Sequence, residues 1–392
     1  MPSQLHEVDL FDGVMQGYRR EVQREKMHMK RICCVFAGVL AVAALAAVGQ
    51  VPPTTGQAGQ TARHWAIVVH GGAGVIERSA LGPKGDVDYR AGLTQAEAAG
   101  AKVLDRGGSA LDAVEAAIHV LEDDPLFNAG HGAVFTAEGK NELDSAIMDG
   151  SNLMAGAVAG VTHTRHPISL ARAVMEKSPY VMLVGSSADA FAAQVGLEQV
   201  DPSFFFTEAR WQSLVKHLKK EGRPVPPRPA GAPPPPVSAE PVAQIEESAD
   251  SHVHGTVGVV ALDRAGNIAA GTSTGGLQGK MPGRVGDSPI IGAGTYASNQ
   301  SCAVSATGSG EYFIRLGVAR EICNLVAFKG MSLQQAADQV IHKELEALHG
   351  DGGVIAITPD GQTAFSFNTP GMFRARQVEG GKLEVKIYAD EQ

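Results

Sequence analysis

Between Pro224 and Pro241 the chain reads Pro-Val-Pro-Pro-Arg-Pro-Ala-Gly-Ala-Pro-Pro-Pro-Pro-Val-Ser-Ala-Glu-Pro. Such a run buries little apolar surface and offers few N–H groups to a helix or a sheet. The acidic stretch Glu246-Glu247-Ser248-Ala249-Asp250 beyond it is equally unsuited to a core. Residues from about 222 to 252 are therefore expected to be extended or disordered, dividing the folded chain in two. An interdomain linker is the plain reading of such a segment, but the residues on its C-terminal side point elsewhere. Thr256-Val-Gly-Val-Val-Ala-Leu262, a turn at Asp263-Arg-Ala-Gly-Asn267 and Ile268-Ala-Ala-Gly-Thr-Ser-Thr274 have the pattern of a β-hairpin. A solvated segment thus ends at Gly255 against a strand that opens with a threonine.

That junction is suited to peptide-bond scission. If the Gly255–Thr256 bond is cut, Thr256 gains a free α-amine with a pKa of about 7.7–8.0. The amine lies within reach of the residue's own hydroxyl and is partly unprotonated near neutral pH. It can act as the general base that an isolated threonine lacks. In the uncut chain the same nitrogen is an amide and accepts no proton, so the precursor is expected to be inactive toward external substrate.

The remaining pattern indicates an α+β fold. Trp65-Ala-Ile-Val-Val69 reads as a buried strand, with a tight turn at His70-Gly-Gly-Ala-Gly74. Helical spacing runs from about Tyr89 to Leu104, and Ser109 caps a second helix with Asp112 in its first turn. Short β-like runs follow near Ala157–Val161 and Val181–Val184. After the hairpin come a glycine-rich loop from Gly275 to Gly294 and a strand ending at Ser305–Gly310. A helix over Glu311–Ala327, a second near Leu333–Leu348, and strands at Val354–Ile357 and Thr363–Phe367 complete this half. Blocks of strands and helices in both halves suggest stacked sheets with helices outside.

The net charge of -9 and the lack of Lys/Arg clusters argue against nucleic-acid binding. Lys30 and Arg31 precede an uncharged run, Ile32 to Gly49, with small residues at Ala44, Ala46 and Ala47. Residues 27–49 therefore read as a signal peptide, the alternative being a membrane anchor that holds the enzyme domain outside the cytoplasm. Residues 1–26 are polar and read as a leader outside the folded protein, with Met27 or Met29 as the start. An exported, periplasmic protein is expected, with residues 50–255 and 256–392 as its two parts. Cys302 and Cys323 lie outside the signal and are either a disulfide or two buried thiols. There is no HExxH, no CxxC pair and no Cys/His cluster at zinc spacing.

Several motifs occur in a specific order: His70-Gly-Gly-Ala-Gly74, Pro125-Leu-Phe-Asn-Ala-Gly-His-Gly-Ala-Val-Phe-Thr136, Glu142-Leu-Asp144 with Met148-Asp-Gly150, His254-Gly-Thr-Val-Gly-Val-Val-Ala-Leu-Asp263, Gly271-Thr-Ser-Thr-Gly-Gly276, Pro282-Gly-Arg-Val-Gly-Asp-Ser-Pro289 and Ala306-Thr-Gly-Ser-Gly-Glu311. From about residue 64 to 392 the chain resembles the plant-type asparaginase/isoaspartyl peptidase family of N-terminal-nucleophile (Ntn) hydrolases. The resemblance implies a four-layer αββα sandwich, formed by an α chain (50–255) and a β chain (256–392) after self-cleavage between Gly255 and Thr256. It implies Thr256 as nucleophile, Thr274 as a partner that orients the amine, Thr307 and Gly308 as the oxyanion hole, and Asn128 as polar support. Substrate binding falls on Arg284, Val285, Gly286, Asp287, Thr307, Gly308, Ser309 and Gly310. A guanidinium and a carboxylate are the pair that a free aspartyl zwitterion requires.

The resemblance further implies a structural sodium ion on the backbone carbonyls of Leu121, Glu122, Asp124, Phe127, Ala129 and His131. It implies no cofactor for catalysis, and assembly as an (αβ)2 heterotetramer. The activity implied is release of L-aspartate from β-aspartyl dipeptides or L-asparagine. Glycosylasparaginase is the alternative within the same chemistry, and a non-catalytic envelope protein the alternative outside it. His70, His131 and His254 are assigned to packing or backbone hydrogen bonds. Gly71-Gly72-Ala73-Gly74 lacks the spacing of a dinucleotide fingerprint.

Overall fold

Strand side chains alternate between faces, and the apolar runs of this chain bury both. The computed structural model describes residues 64–235 and 255–391, all within one structural unit, Gln60–Gln392. Residues 1–63, which include the stretches read as a leader and a signal peptide, residues 236–254 and residue 392 lie outside the described residues. The architecture is mixed α+β. Strands β1 (Ala66–Gly74), β2 (Leu143–Asp149), β3 (Ala155–Val161), β4 (Met182–Val184), β5 (Val257–Leu262) and β6 (Ile268–Thr274) belong to an eight-stranded sheet. Strands β7 (Thr295–Ala297), β8 (Ala303–Gly308), β9 (Gly352–Ile357) and β10 (Thr363–Phe367) form a second sheet. Strands β11 (Gly371–Val378) and β12 (Glu384–Tyr388) return to the first, whose order is β12-β11-β1-β5-β6-β2-β3-β4.

The helices are α1 (Arg78–Asp105), α2 (Ala110–Asp123), α3 (Pro167–Lys177), α4 (Gly185–Gln194), α5 (Glu208–Lys220), α6 (Gly310–Leu316), α7 (Val318–Lys329) and α8 (Leu333–Gln339). Ile67, Val69, Val257 and Val259 pack with Leu93 of α1 and Val114, Ile118 and Leu121 of α2. The alternate residues Val68, Val260 and Leu262 pack with Ala303, Ile355 and Ile357 of the second sheet. That sheet's other face, Val304, Ala306, Val354 and Ala356, packs with Ile322, Leu325, Leu333 and Ala336 of the later helices. Full burial of each larger aliphatic side chain contributes about 1.5–3 kcal/mol. The sheets approach closely at Gly258, where a Cβ would fall 1.9 Å from Ser305 Oγ and 2.3 Å from His70 Nε2. Only glycine fits there.

Several expectations are met. Ser109 accepts the Asp112 N–H at 3.1 Å as the cap of α2, and β5 and β6 form the antiparallel hairpin. Others are corrected. His70–Gly74 is not a turn, since β1 continues through it with a bulge between His70 and Gly72 while pairing with β11. The helix expected over Glu311–Ala327 breaks at Gly317, whose φ of 63° is a left-handed cap that glycine adopts without strain. The helix near Leu333–Leu348 ends as α8 and continues as a widened π-type turn, Val340–Leu345. The second half is not completed at Phe367. β11 and β12 follow, the former disguised by Arg374 and Arg376, whose guanidiniums lie over Phe367 and Phe365.

Part of the proline-rich segment is held in place rather than disordered. Arg228 is ion-paired with Glu208 at the start of α5, lies 4.5 Å above the Phe206 ring and donates to Pro233 O at 2.8 Å. Cys302 and Cys323 form a disulfide with Cα atoms 5.2 Å apart, joining the start of β8 to α7. Among the described residues no helix is long and apolar enough to cross a membrane.

One buried carboxyl gives a stability test. Glu97 on α1 is 2% exposed, its Oε1 has no hydrogen-bond partner among the described residues, and burial raises its pKa to about 7. A folded-state pKa above the unfolded value contributes stability at low pH that is lost as pH rises from about 4.5 through about 7. Glu97→Gln is expected to raise the melting temperature at pH 8 and to leave it nearly unchanged at pH 4, as read by calorimetry at both values.

Candidate active site

The site forms where the C-terminal end of β6 meets the segment leading into β5. Thr256 Oγ donates to Thr274 Oγ at 3.0 Å, and Thr274 Oγ also accepts the Gly276 N–H at 3.0 Å. Both threonines are buried, at 8% and 2% exposure. The carbonyl of Gly255, which belongs to the Gly255–Thr256 peptide bond, accepts the Asn128 backbone N–H at 3.2 Å. Asn128 O in turn accepts the Gly275 N–H at 3.0 Å. The Asn128 side chain spans the loop, donating to Gly276 O at 2.8 Å and accepting from Val134 N–H at 2.9 Å. Its amide is occupied by Gly276 and Val134, so it is the backbone of Asn128 that reaches Gly255 and Gly275.

Thr307 and Gly308 close β8, paired in register with Gly353 and Gly352, and Thr307 is fully buried. Ser309 N–H donates to Asp351 O at 2.9 Å, and its hydroxyl is hydrogen-bonded to the Asp351 carboxylate. A Cβ on Gly310 would lie 2.9 Å from Asp287 Oδ1 and 3.0 Å from Arg284 Nη2. A Cβ on Gly276 would lie 3.4 Å from Arg284 Nη1. Gly310, Asp287, Arg284 and the Thr274–Gly276 turn therefore converge at one end of the two sheets. Val285 and Gly286 lie between the charged pair in the chain, with Gly286 against the guanidinium.

The charges are poised unequally. Arg284 donates from Nε and Nη2 to Glu311, both at 3.0 Å, which leaves Nη1 toward Gly276 and Gly286. Asp287 is 4% exposed, and its Oδ2 has no hydrogen-bond partner among the described residues. Burial raises its pKa to about 7, against the lowering effect of Arg284. A buried carboxylate with one bare oxygen is suited to accept an ammonium group.

Of the three histidines His70, His131 and His254, two lie among the described residues. His70 is fully buried with its Nε2 2.9 Å from Ser305 Oγ, and burial lowers its pKa to about 3, so it is neutral. His131 meets the Phe204 ring edge-on, and His254 lies outside the described residues. The carbonyl loop winds around two glycines. A Cβ on Gly130 would fall 2.2 Å from Glu122 O, and one on Gly132 would fall 2.0 Å from Phe127 O. This cradle suits a hard cation that prefers oxygen ligands. Leu121 and Glu122 lie in the last turn of α2, Ala129 O accepts Gly132 N–H, and Asp124 O accepts Phe127 N–H.

Other residues at the site escape sequence reasoning. The Glu122 carboxylate is fully buried and accepts Ser273 Oγ at 2.6 Å and Ile168 N–H at 3.1 Å, which ties α2 and α3 to the strand beside Thr274. A charged residue buried on an apolar helix face is the available signal. Glu311 as the partner of Arg284, 27 positions away, leaves no local signal.

Comparison with known proteins places the chain in a family. The chain is 47% identical over 324 residues to an isoaspartyl peptidase of Escherichia coli K12, covering 83% of this chain and 96% of that protein. It is 41% identical over 325 residues to an isoaspartyl peptidase/L-asparaginase of Xenopus laevis, covering 83% and 96% respectively. It is 42% identical over 324 residues to a plant-type L-asparaginase of Pyrococcus abyssi, covering 80% and 97%. The asparaginase family profile matches residues 63–387, nearly the whole of the structural unit that carries the paired threonines, and by that match the chain belongs to the asparaginase family.

Proposed function

We propose that the chain cuts itself between Gly255 and Thr256, and that the freed threonine hydrolyses β-aspartyl peptides and L-asparagine to release L-aspartate. The observation that carries this reading is the contact between Thr256 Oγ and Thr274 Oγ, beside a Gly255 carbonyl held by Asn128 N–H. Attack by Thr256 Oγ on that carbonyl transfers the acyl chain to oxygen and releases the nitrogen as an amine. Water then hydrolyses the ester and leaves Thr256 as a chain terminus. The names carried by the relatives support the substrate class and favour it over glycosylasparaginase.

In turnover the Thr256 amine takes the hydroxyl proton as Oγ attacks the substrate's side-chain carbonyl. Thr274 Oγ holds the nucleophile from the neighbouring strand. The Thr307 hydroxyl and Gly308 N–H receive the negative charge that develops on the carbonyl oxygen, a contribution of about 3 kcal/mol per donor in comparable sites. The amine then protonates the departing nitrogen, and water enters to free aspartate from the ester. Arg284 binds the substrate α-carboxylate and Asp287 its α-ammonium, aided by Gly310 O. Side-chain amides and β-linked peptides place their scissile carbonyl at the same distance from that anchor, whereas α-peptides do not.

The carbonyls of Leu121, Glu122, Asp124, Phe127, Ala129 and His131 would hold a sodium ion that stiffens the Asn128 loop. The packing of helices, sheet, sheet and helices supports the four-layer arrangement of an Ntn hydrolase. Assembly as (αβ)2 and export to the periplasm complete the proposal, the latter supported by the Cys302–Cys323 disulfide, which persists in an oxidising compartment. N-terminal sequencing of the small chain of the purified protein tests the central claim. Thr-Val-Gly-Val-Val is expected, and an active preparation made wholly of uncut chain overturns it.

A further inference from the structure

The strand register extends the paired threonines into a longer row. Val257 stands opposite Ser273 in the β5–β6 ladder, so Thr256 stands opposite Thr274, as their hydroxyl contact requires. In the β6–β2 ladder Thr274 stands opposite Asp144. Directly opposed residues share a face of the sheet, so Thr256, Thr274 and Asp144 form one cross-strand row. Asp144 is fully buried, accepts Gly160 N–H through Oδ1 at 2.8 Å, and keeps Oδ2 without a hydrogen bond among the described residues. Its Oδ2 lies 3.8 Å from Lys280 Nζ, and the Lys280 side chain is 1% exposed.

Lys280 joins this row to the substrate-binding loop. Its ammonium donates to Glu142 O at 2.9 Å, and a Cβ on Gly276 would fall 2.9 Å from it. Lys280 O accepts Ala137 N–H at 2.8 Å, and Gly283 N–H, next to Arg284, donates to Glu142 Oε2 at 2.8 Å. One buried cation thus clamps the start of β2, the turn after Thr274 and the loop that presents Arg284 and Asp287. The other titratable groups that face this row are Glu142, Arg284, Asp287, Glu311 beyond Arg284, His217 against Gly279, and neutral His70 beside Thr256.

We propose that Asp144 and Lys280 are a positioning pair for turnover, which balances the charge felt at the Thr256 amine and holds the Arg284 loop in register with the paired threonines. This rests on the reading of Thr256 as a processed terminal nucleophile. Two strand spacings place Asp144 about 10 Å from Thr256, close enough for a buried charge to move a titration by roughly half to one pH unit. Burial raises the Asp144 pKa, and Lys280 and the Gly160 N–H oppose it; as an ion pair the two side chains sum to zero charge, so removing either member alone unbalances the site in opposite senses.

The test measures the acid limb of kcat for a β-aspartyl dipeptide in Asp144→Asn, Lys280→Met, Lys280→Arg and the double variant Asp144→Asn/Lys280→Met, with β-chain masses determined for each. The limb of kcat reports the enzyme–substrate complex, where the bound ammonium holds Asp287 ionised. Asp144→Asn leaves an ammonium unbalanced, hinders protonation of the amine and is expected to move the limb to lower pH. Lys280→Met leaves a carboxylate unbalanced and is expected to move it to higher pH. The double variant and Lys280→Arg are expected near the parent. Shifts of both single variants in one direction, or of neither, overturn the proposal. Where a single variant remains unprocessed, processing restored in both Lys280→Arg and the double variant supports it, and failure in both overturns it. A parent chain without the Thr256 terminus, read from mass alone, overturns the underlying reading, and this inference falls with it.

Discussion

Thr256→Ala is expected to yield a single uncut polypeptide with hydrolysis of β-aspartyl peptides lowered about 10⁴-fold or more, the scale seen when a nucleophile is removed from a concerted set. Two losses have one cause. The missing hydroxyl can neither attack the Gly255 carbonyl nor open an external substrate, and without scission the nitrogen at 256 stays an amide. The fold is expected to survive, because the side chain sits at the edge of β5 and its hydroxyl is bonded to Thr274 rather than into either core. Gel mobility, melting temperature and turnover together check this. An uncut but stable and inactive chain is the expected outcome, and a cut, active Thr256→Ala chain contradicts the mechanism.

Asp287→Asn is expected to lower kcat/KM by roughly 10²-fold, mostly through KM. Removing one member of a buried, hydrogen-bonded charge pair costs about 3 kcal/mol, within the range measured for interfacial ion pairs. The pH dependence gives a sharper result. Burial raises Asp287 to about 7 in the unliganded protein. Below that pH the carboxyl is protonated and cannot pair with an ammonium, so 1/KM should fall as pH decreases through about 7. The binding contribution is therefore present at higher pH and lost on acidification. In Asp287→Asn that dependence should vanish while the dependence of kcat remains. A variant that keeps the acid loss of 1/KM assigns it to another group.

Much of the site is legible without the fold. The hairpin from Thr256 to Thr274 shows in its alternation and turn residues, and the proline-rich and acidic composition before Gly255 draws the eye to the proposed junction. Arg284 and Asp287 stand out because a cation and an anion share a glycine-rich loop. Asn128 lies in the expected loop, although its side chain serves that loop and its backbone reaches Gly255. Lys280 and the Glu122 carboxylate are not legible, since burial of a charged side chain depends on partners distant in the chain. The proline-rich segment is legible only in part. Its composition says that it cannot build a core, but not that Arg228 pins its first part to Glu208 and Phe206.

By itself the sequence determined the local elements, because periodicity, capping and turn preference act among near neighbours along the chain. Ser109 caps α2 and the β5–β6 hairpin closes for reasons contained within a few residues. Only the tertiary structure decided that this hairpin enters the middle of the large sheet, between β1 and β2, instead of forming a layer of its own. That insertion sets Thr274 opposite Asp144 and brings Ser305 against Gly258. Such contacts follow from burying both faces of the central strands at once, and no spacing within either half of the chain specifies them.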